Sequence, residues 1–84
     1  MQTREDIFNT LRDALVELFE LDPASISLKS NLYQDLEIDS IDAVDLIDHI
    51  KRQTGKKIAA DEFKAVRTVN DVVEAVYRLV NNAA

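Results

Sequence analysis

Ser40 and His49, the only histidine, lie nine residues apart beside a run of acids. From Ser30 to Ile50 there are six carboxylates (Asp35, Glu37, Asp39, Asp42, Asp45 and Asp48) and no Lys or Arg. A serine with a histidine suggests a nucleophile and its base. On one helix, however, nine residues at about 100° each put the two about 180° apart, so they cannot share a proton. That argues against a Ser–His hydrolase and leaves His49 as a surface residue. Asp35, Glu37 and Asp39 alternate as the ligands of a calcium loop do, but such a loop needs Gly at its sixth position and Glu at its twelfth. Counted from Asp35, the chain offers Ser40 and Leu46. With no cysteine, neither a disulfide nor a thiolate metal site is available. What remains is a serine where a helix begins. Unpaired N–H groups and the positive dipole end would stabilise a phosphate ester on its hydroxyl. By position alone, the same serine is an ordinary helix cap.

The elements that position Ser40 follow from periodicity and capping. Thr3 opens a first helix with Asp6 as its capping-box partner. Ile7, Leu11, Ala14 and Leu18 recur at helical spacing, with Phe8, Leu15 and Phe19 widening the stripe. Leu21-Asp22-Pro23 ends it. Residues 22–39 form a connection longer than is usual in a small domain unless it is functional or partly structured. Ile26, Leu28, Leu32 and Leu36 are expected to pin it to the core, with a short helical turn at Ser30–Tyr33. A second helix runs from about Ser40 to Thr54, with Asp39 as N-cap, Asp42 in its first turn, Lys51 and Arg52 in its last, and Gly55 after it. Ala60–Lys64 forms a short third helix. Thr68, with Asp71, caps a fourth, whose stripe is Val69, Val72, Val73, Val76, Leu79 and Val80. Valines are weak helix formers, so this helix depends on packing. The last four residues, 81–84, are expected to fray. The fold class is all-α: a four-helix bundle with a short third helix and a long loop between helices one and two.

On a wheel, residues 39–52 gather Ala43, Val44, Leu46, Ile47 and Ile50 on one side. Asp42, Asp45, Asp48 and His49 gather on the other. Ile41 falls among the aspartates. An acidic face is commonly just a solvated one. An acidic face with a bare isoleucine beside a serine reads instead as a docking surface for a basic patch with an apolar socket.

Composition narrows the class. Eighty-four residues make one small domain with a modest core. A net charge of −6 argues against nucleic acid and favours basic protein partners. One Gly and one Pro leave few breakers for a β-rich fold. No apolar stretch is long enough for a membrane span. The first residues lack the basic and apolar regions of a secretory signal, so a cytoplasmic chain is expected.

Asp39-Ser40-Ile41, preceded by Asp35-Leu36 and followed by Asp42-Ala43-Val44-Asp45-Leu46, resembles the attachment motif of acyl carrier proteins, where Asp-Ser-Leu opens the second helix. The long loop, the Thr54-Gly55-Lys56-Lys57-Ile58 turn and Arg67-Thr68-Val69-Asn70-Asp71-Val72 resemble the same family. The likeness spans nearly the whole of a single carrier domain, 1–84.

The resemblance implies a carrier without catalytic activity of its own. A phosphopantetheinyl transferase would move 4′-phosphopantetheine from coenzyme A to Ser40, next to Asp39. The terminal thiol would hold acyl groups as thioesters for ketosynthase, ketoreductase, dehydratase and acyltransferase enzymes. Ile41, Asp42, Asp45 and Asp48, with Glu37, would dock those partners. Leu32, Val44, Ile50, Phe63, Val66, Val72 and Val76 would line an acyl pocket, though each is also an ordinary core residue. A monomer is the default.

Three departures from the family pattern stand out. Glu37 stands where relatives often have Gly, so this loop cannot rely on glycine's freedom at positive φ. Ile41 replaces Leu. His49, Lys51 and Arg52 end a helix that stays acidic in many relatives. These changes suggest a specialised pathway, of aryl-polyene or secondary-metabolite type. Peptidyl and D-alanyl carriers, or a small acidic interaction module without a prosthetic group, are the alternatives.

Overall fold

The structure is a computed structural model that describes residues 3–56, 58 and 60–81, with the backbone alone for Ser40 and Ala60. Among the described residues four helices follow in order: α1 (Arg4–Phe19), α2 (Ser40–Thr54), α3 (Ala60–Lys64) and α4 (Val69–Asn81). One 3-10 turn, Pro23–Ser25, interrupts the loop after α1. Among the described residues there is no strand, only an isolated bridge between Asn31 and Thr68.

The helix ends are set by local chemistry. Thr3 Oγ1 accepts from the Asp6 N–H at the start of α1. Glu20 closes that helix in the left-handed region, its N–H donating to the Val16 carbonyl. Gly55 closes α2 at φ 74°, where a residue without Cβ carries no steric cost. At α4, Thr68 and Asp71 cap each other: Thr68 Oγ1 accepts from Asp71 N–H at 3.2 Å, and Asp71 Oδ2 accepts from Thr68 N–H at 3.1 Å. Arg67 N–H donates a second bond to the same Asp71 oxygen at 3.0 Å. These backbone donors hold the Asp71 carboxyl below the usual carboxylate range.

The core lies where α1, α2 and α4 meet. Ile7, Leu11, Ala14 and Leu15 face Ala43, Leu46 and Ile50, and Val69, Val72, Val73 and Val76 fill the remaining side. Full burial of such side chains contributes roughly 1.5–3 kcal/mol each, which is what holds the valine-rich α4 helical. Arg4 ties the start of α1 to α4. Its Nε donates to Glu74 at 2.9 and 3.1 Å, and its guanidinium lies 4.1 Å from the Tyr77 ring centroid.

The long loop is fastened by backbone bonds as well as by apolar anchors. Leu32 N–H donates to the Arg67 carbonyl at 2.9 Å, and Val69 and Asn70 N–H groups donate to the Ser30 and Leu28 carbonyls at 3.0 Å. Ile26, Leu32 and Leu36 are buried as expected. Leu28 is not; it is 44% exposed. The interior of the tight turn around it is taken by Ser30, whose hydroxyl accepts from Ser27 N–H and reaches the Ser25 carbonyl. Ile38, not singled out from the sequence, is the fourth anchor, at 3% exposure. The expected helical turn falls at 31–35, where Asp35 N–H donates to the Asn31 carbonyl. Leu18, assigned to the buried stripe of α1, is 38% exposed near the helix end. Of the tail expected to fray, Asn81 is helical, its side-chain amide donating to the Tyr77 carbonyl at 3.0 Å. Residues 82–84 lie outside the described residues.

Candidate functional site

Ser40 is the first residue of α2, and Asp39 is its N-cap. Asp39 Oδ1 accepts from Ile41 N–H at 3.0 Å and from Asp42 N–H at 2.9 Å. Asp42 Oδ2 in turn accepts from Asp39 N–H at 3.4 Å. The N–H groups that the sequence left open to an anion are therefore partly committed. Two of them already serve the chain's own carboxylate, and a third, Ala43 N–H, donates to the Asp39 carbonyl.

Around Ser40 the surface is open. Asp39 and Glu37 are exposed, and Ile41 is 73% exposed, on the side opposite the core where the wheel puts it. Asp45 and Asp48 are exposed farther along, and Asp42 is half-buried. Asp48 meets Arg52 one turn on, at 3.2 Å. Asp35 stands apart from this face: its carboxylate caps the turn before α2, accepting from Asn31 N–H at 2.7 Å.

Glu37 carries the least expected backbone. Its φ is 55°, in the left-handed region. The loop does need glycine's conformation here, and an L-residue supplies it at a cost of about 1–2 kcal/mol.

Val44 and His49 also depart from the sequence expectation. Val44 is 63% exposed. At about 100° per residue it sits roughly 125° from the centre of the Ala43–Leu46–Ile50 stripe, too far round to be covered. The same angular count could have identified it as a companion of Ile41. His49 is half-buried rather than on the open surface, in a small cavity toward α1 with Thr10, Gln53 and Ile50. That cavity holds about 10 Å³, space for one water at most. Of the seven residues expected to line an acyl pocket, Leu32, Ile50, Phe63, Val66, Val72 and Val76 are buried in the closed core, and Val44 is not.

The fold and site are those of a small all-helical domain whose second helix opens on a serine behind an aspartate cap, the arrangement that the sequence resemblance implies. Comparison with known proteins agrees. The family described as "Phosphopantetheine attachment site" matches residues 9–76. "Acyl carrier protein 2" of Ralstonia nicotianae is 42% identical over 78 residues, covering 93% of this chain and 96% of that one. The acyl carrier protein of Lactobacillus acidophilus is 36% identical over 74 residues, covering 88% and 92%. Among solved structures, the apo doublet acyl carrier protein from prodigiosin biosynthesis superposes with a TM-score of 0.73 at 20% identity. The superposition covers 88% of this chain and about a third (36%) of that longer one, and it bears on fold alone. The chain belongs to the acyl carrier protein family, whose members are carriers that hold a covalent phosphopantetheine group rather than catalysts.

Proposed function

We propose that Ser40 carries the arm and that α2 presents it. The observation that carries this is the placement of the Asp39-Ser40-Ile41 triplet at the start of α2, with Asp39 and Ile41 exposed, inside the segment that matches the attachment family. In the loading step the serine oxygen attacks the β-phosphorus of coenzyme A on a phosphopantetheinyl transferase. A new P–O bond forms, the bond to the nucleotide breaks, 3′,5′-ADP leaves, and the serine proton passes to a base of the transferase. The arm's terminal thiol supplies the thioester linkage that a chain without cysteine lacks.

The chain's own residues then orient and release the arm. With Ile41 and Asp42 N–H groups bonded to Asp39, the chain's own carboxylate takes two donors that a phosphodiester on Ser40 would otherwise accept from. The covalent bond to Ser40 would hold the arm without a binding pocket, which suits a group that visits several enzymes. Ile41 and Val44 offer an apolar contact, and Glu37, Asp42, Asp45 and Asp48 steer basic partner surfaces toward it. Ketosynthase, ketoreductase, dehydratase and acyltransferase enzymes are the partners of that chemistry. An acyl chain that entered among Leu32, Ile50, Phe63, Val66, Val72 and Val76 would have to part the helices, because the core around them is closed. The setting is cytoplasmic, and the pathway a specialised one. Among the described residues no helix is long and apolar enough to cross a membrane.

The test is intact mass after incubation with coenzyme A and a broad-specificity transferase. One arm's mass should be added, and none to Ser40→Ala. Addition that persists in Ser40→Ala would remove Ser40 from the role.

A further inference from the structure

The sign of charge along the chain changes abruptly at the end of α2. Residues 30–50 hold six carboxylates and no Lys or Arg; residues 51–57 hold Lys51, Arg52, Lys56 and Lys57 and no carboxylate. In the fold this becomes a gradient along one exposed face. Near Ser40, the acids Glu37, Asp39, Asp42 and Asp45 surround the bare Ile41 and Val44. In the middle, Asp48 and Arg52 offset one another at 3.2 Å. At the far end Lys51 is exposed and, among the described residues, makes no ion pair. Lys56 turns away toward α4, its ammonium 3.4 Å from the Leu79 carbonyl.

We propose that the exposed face of α2 is a docking strip of two signs, fitted to a synthase enzyme that offers a basic patch around its active-site entrance and a carboxylate patch farther along. The proposal rests on the reading of Ser40 as the attachment point. The spacing follows from the helix. At 1.5 Å per residue, Asp45 lies about 10 Å from Arg52, and Ser40 about 16 Å from Lys51. Both spans exceed the screening length of about 8 Å at physiological ionic strength. A partner group facing Lys51 therefore meets a positive field little weakened by the acids near Ser40. A uniformly basic partner gains at one end of the strip and is repelled at the other, which turns the strip into a selection device. The helix C-terminus attracts cations in any case. That accounts for why Lys51 and Arg52 stand there; it does not alter what a partner encounters.

The experiment uses cross-linking to a condensing ketosynthase of the source organism. The parent chain and Lys51→Glu/Arg52→Glu are loaded to completion with a pantetheine arm ending in a chloroacrylamide. The ketosynthase cysteine attacks the chlorine-bearing carbon, a C–S bond forms and chloride leaves. The reversed variant should cross-link about tenfold more slowly at low salt, with the gap closing as salt is raised. Lys51→Gln/Arg52→Gln, gentler on the helix end, should slow it about threefold, with helical circular dichroism like the parent's in both. A reversed variant that reacts at the parent's rate or faster overturns the proposal, because α2 then meets a partner of one sign. The two failures are separable. A parent chain that accepts no arm overturns the attachment reading and this proposal with it, whereas a loaded chain indifferent to the reversal overturns the two-signed strip alone.

Discussion

Asp39 and Asp42 cap each other across the first turn of α2, with Asp39 Oδ1 accepting from the Asp42 N–H at 2.9 Å and Asp42 Oδ2 accepting from the Asp39 N–H at 3.4 Å. The serine between them is thus set at the first helical position by two carboxylates bonded to backbone. Loss of an N-cap carboxylate typically costs about 1 kcal/mol. Asp39→Ala is expected to lower stability by about that amount, and Asp39→Asn by less, since an amide oxygen still caps. Urea unfolding midpoints at neutral pH measure both. Equal losses in the two variants would mean that charge, not capping geometry, is what Asp39 contributes.

Glu37 sits at φ 55° one residue before Ile38 is buried. Glu37→Gly relieves about 1–2 kcal/mol of left-handed strain and adds roughly 0.5–1 kcal/mol of unfolded-chain entropy. The net expectation is a gain of about 0–1.5 kcal/mol, read as a raised thermal midpoint. Gly55 is the reverse case. A Cβ there meets nothing within 4 Å, so Gly55→Ala should cost about 1 kcal/mol through backbone conformation alone.

The depressed Asp71 carboxyl gives a pH dependence of known sign. Its folded value lies below its unfolded one because Arg67 and Thr68 N–H groups bond to the charged form. Its stabilisation is complete above the ordinary carboxylate range near 3.9 and is lost as pH falls through the lower folded value. Asp71→Asn should therefore be destabilised relative to the parent at pH 7, with the difference shrinking toward pH 2.5. Paired urea titrations across that range measure it, and a difference that grows on acidification would refute the assignment.

Leu46 and Val44 stand two residues apart on α2 at 0% and 63% exposure. Leu46→Ala should cost about 2–5 kcal/mol, enough to threaten a domain of this size. Val44→Ala should change stability by less than about 0.5 kcal/mol. In a loaded chain Val44→Ala should nevertheless slow cross-linking to a ketosynthase several-fold, as loss of an exposed apolar contact predicts. Retained cross-linking would place the partner's socket on Ile41 alone.

Much of the fold was legible in the sequence because helix signals here are local. Asp39 with Asp42, Thr68 with Asp71, and Gly55 each act within one turn, so the bounds of α2 and the start of α4 could be read from neighbours only a few residues apart. The open side of α2 was legible at Ile41 for the same reason. The site was less legible where distant segments compete for one position. Leu28 lost its inward place to Ser30, Ile38 gained one, and His49 turned to face α1.

The sequence by itself determined the serine, its flanking carboxylates, the four helices and the change of charge sign after Ile50, because each rests on residue type and on short-range spacing. Only the tertiary structure decided what those residues can offer. It buried Ile38 and left Leu28 exposed, turned His49 into a small cavity beside α1, and folded Lys56 back toward α4 while leaving Lys51 in the open. The physical reason is that burial and hydrogen-bond satisfaction depend on which segments arrive at the same place, and no local pattern in the chain encodes that meeting.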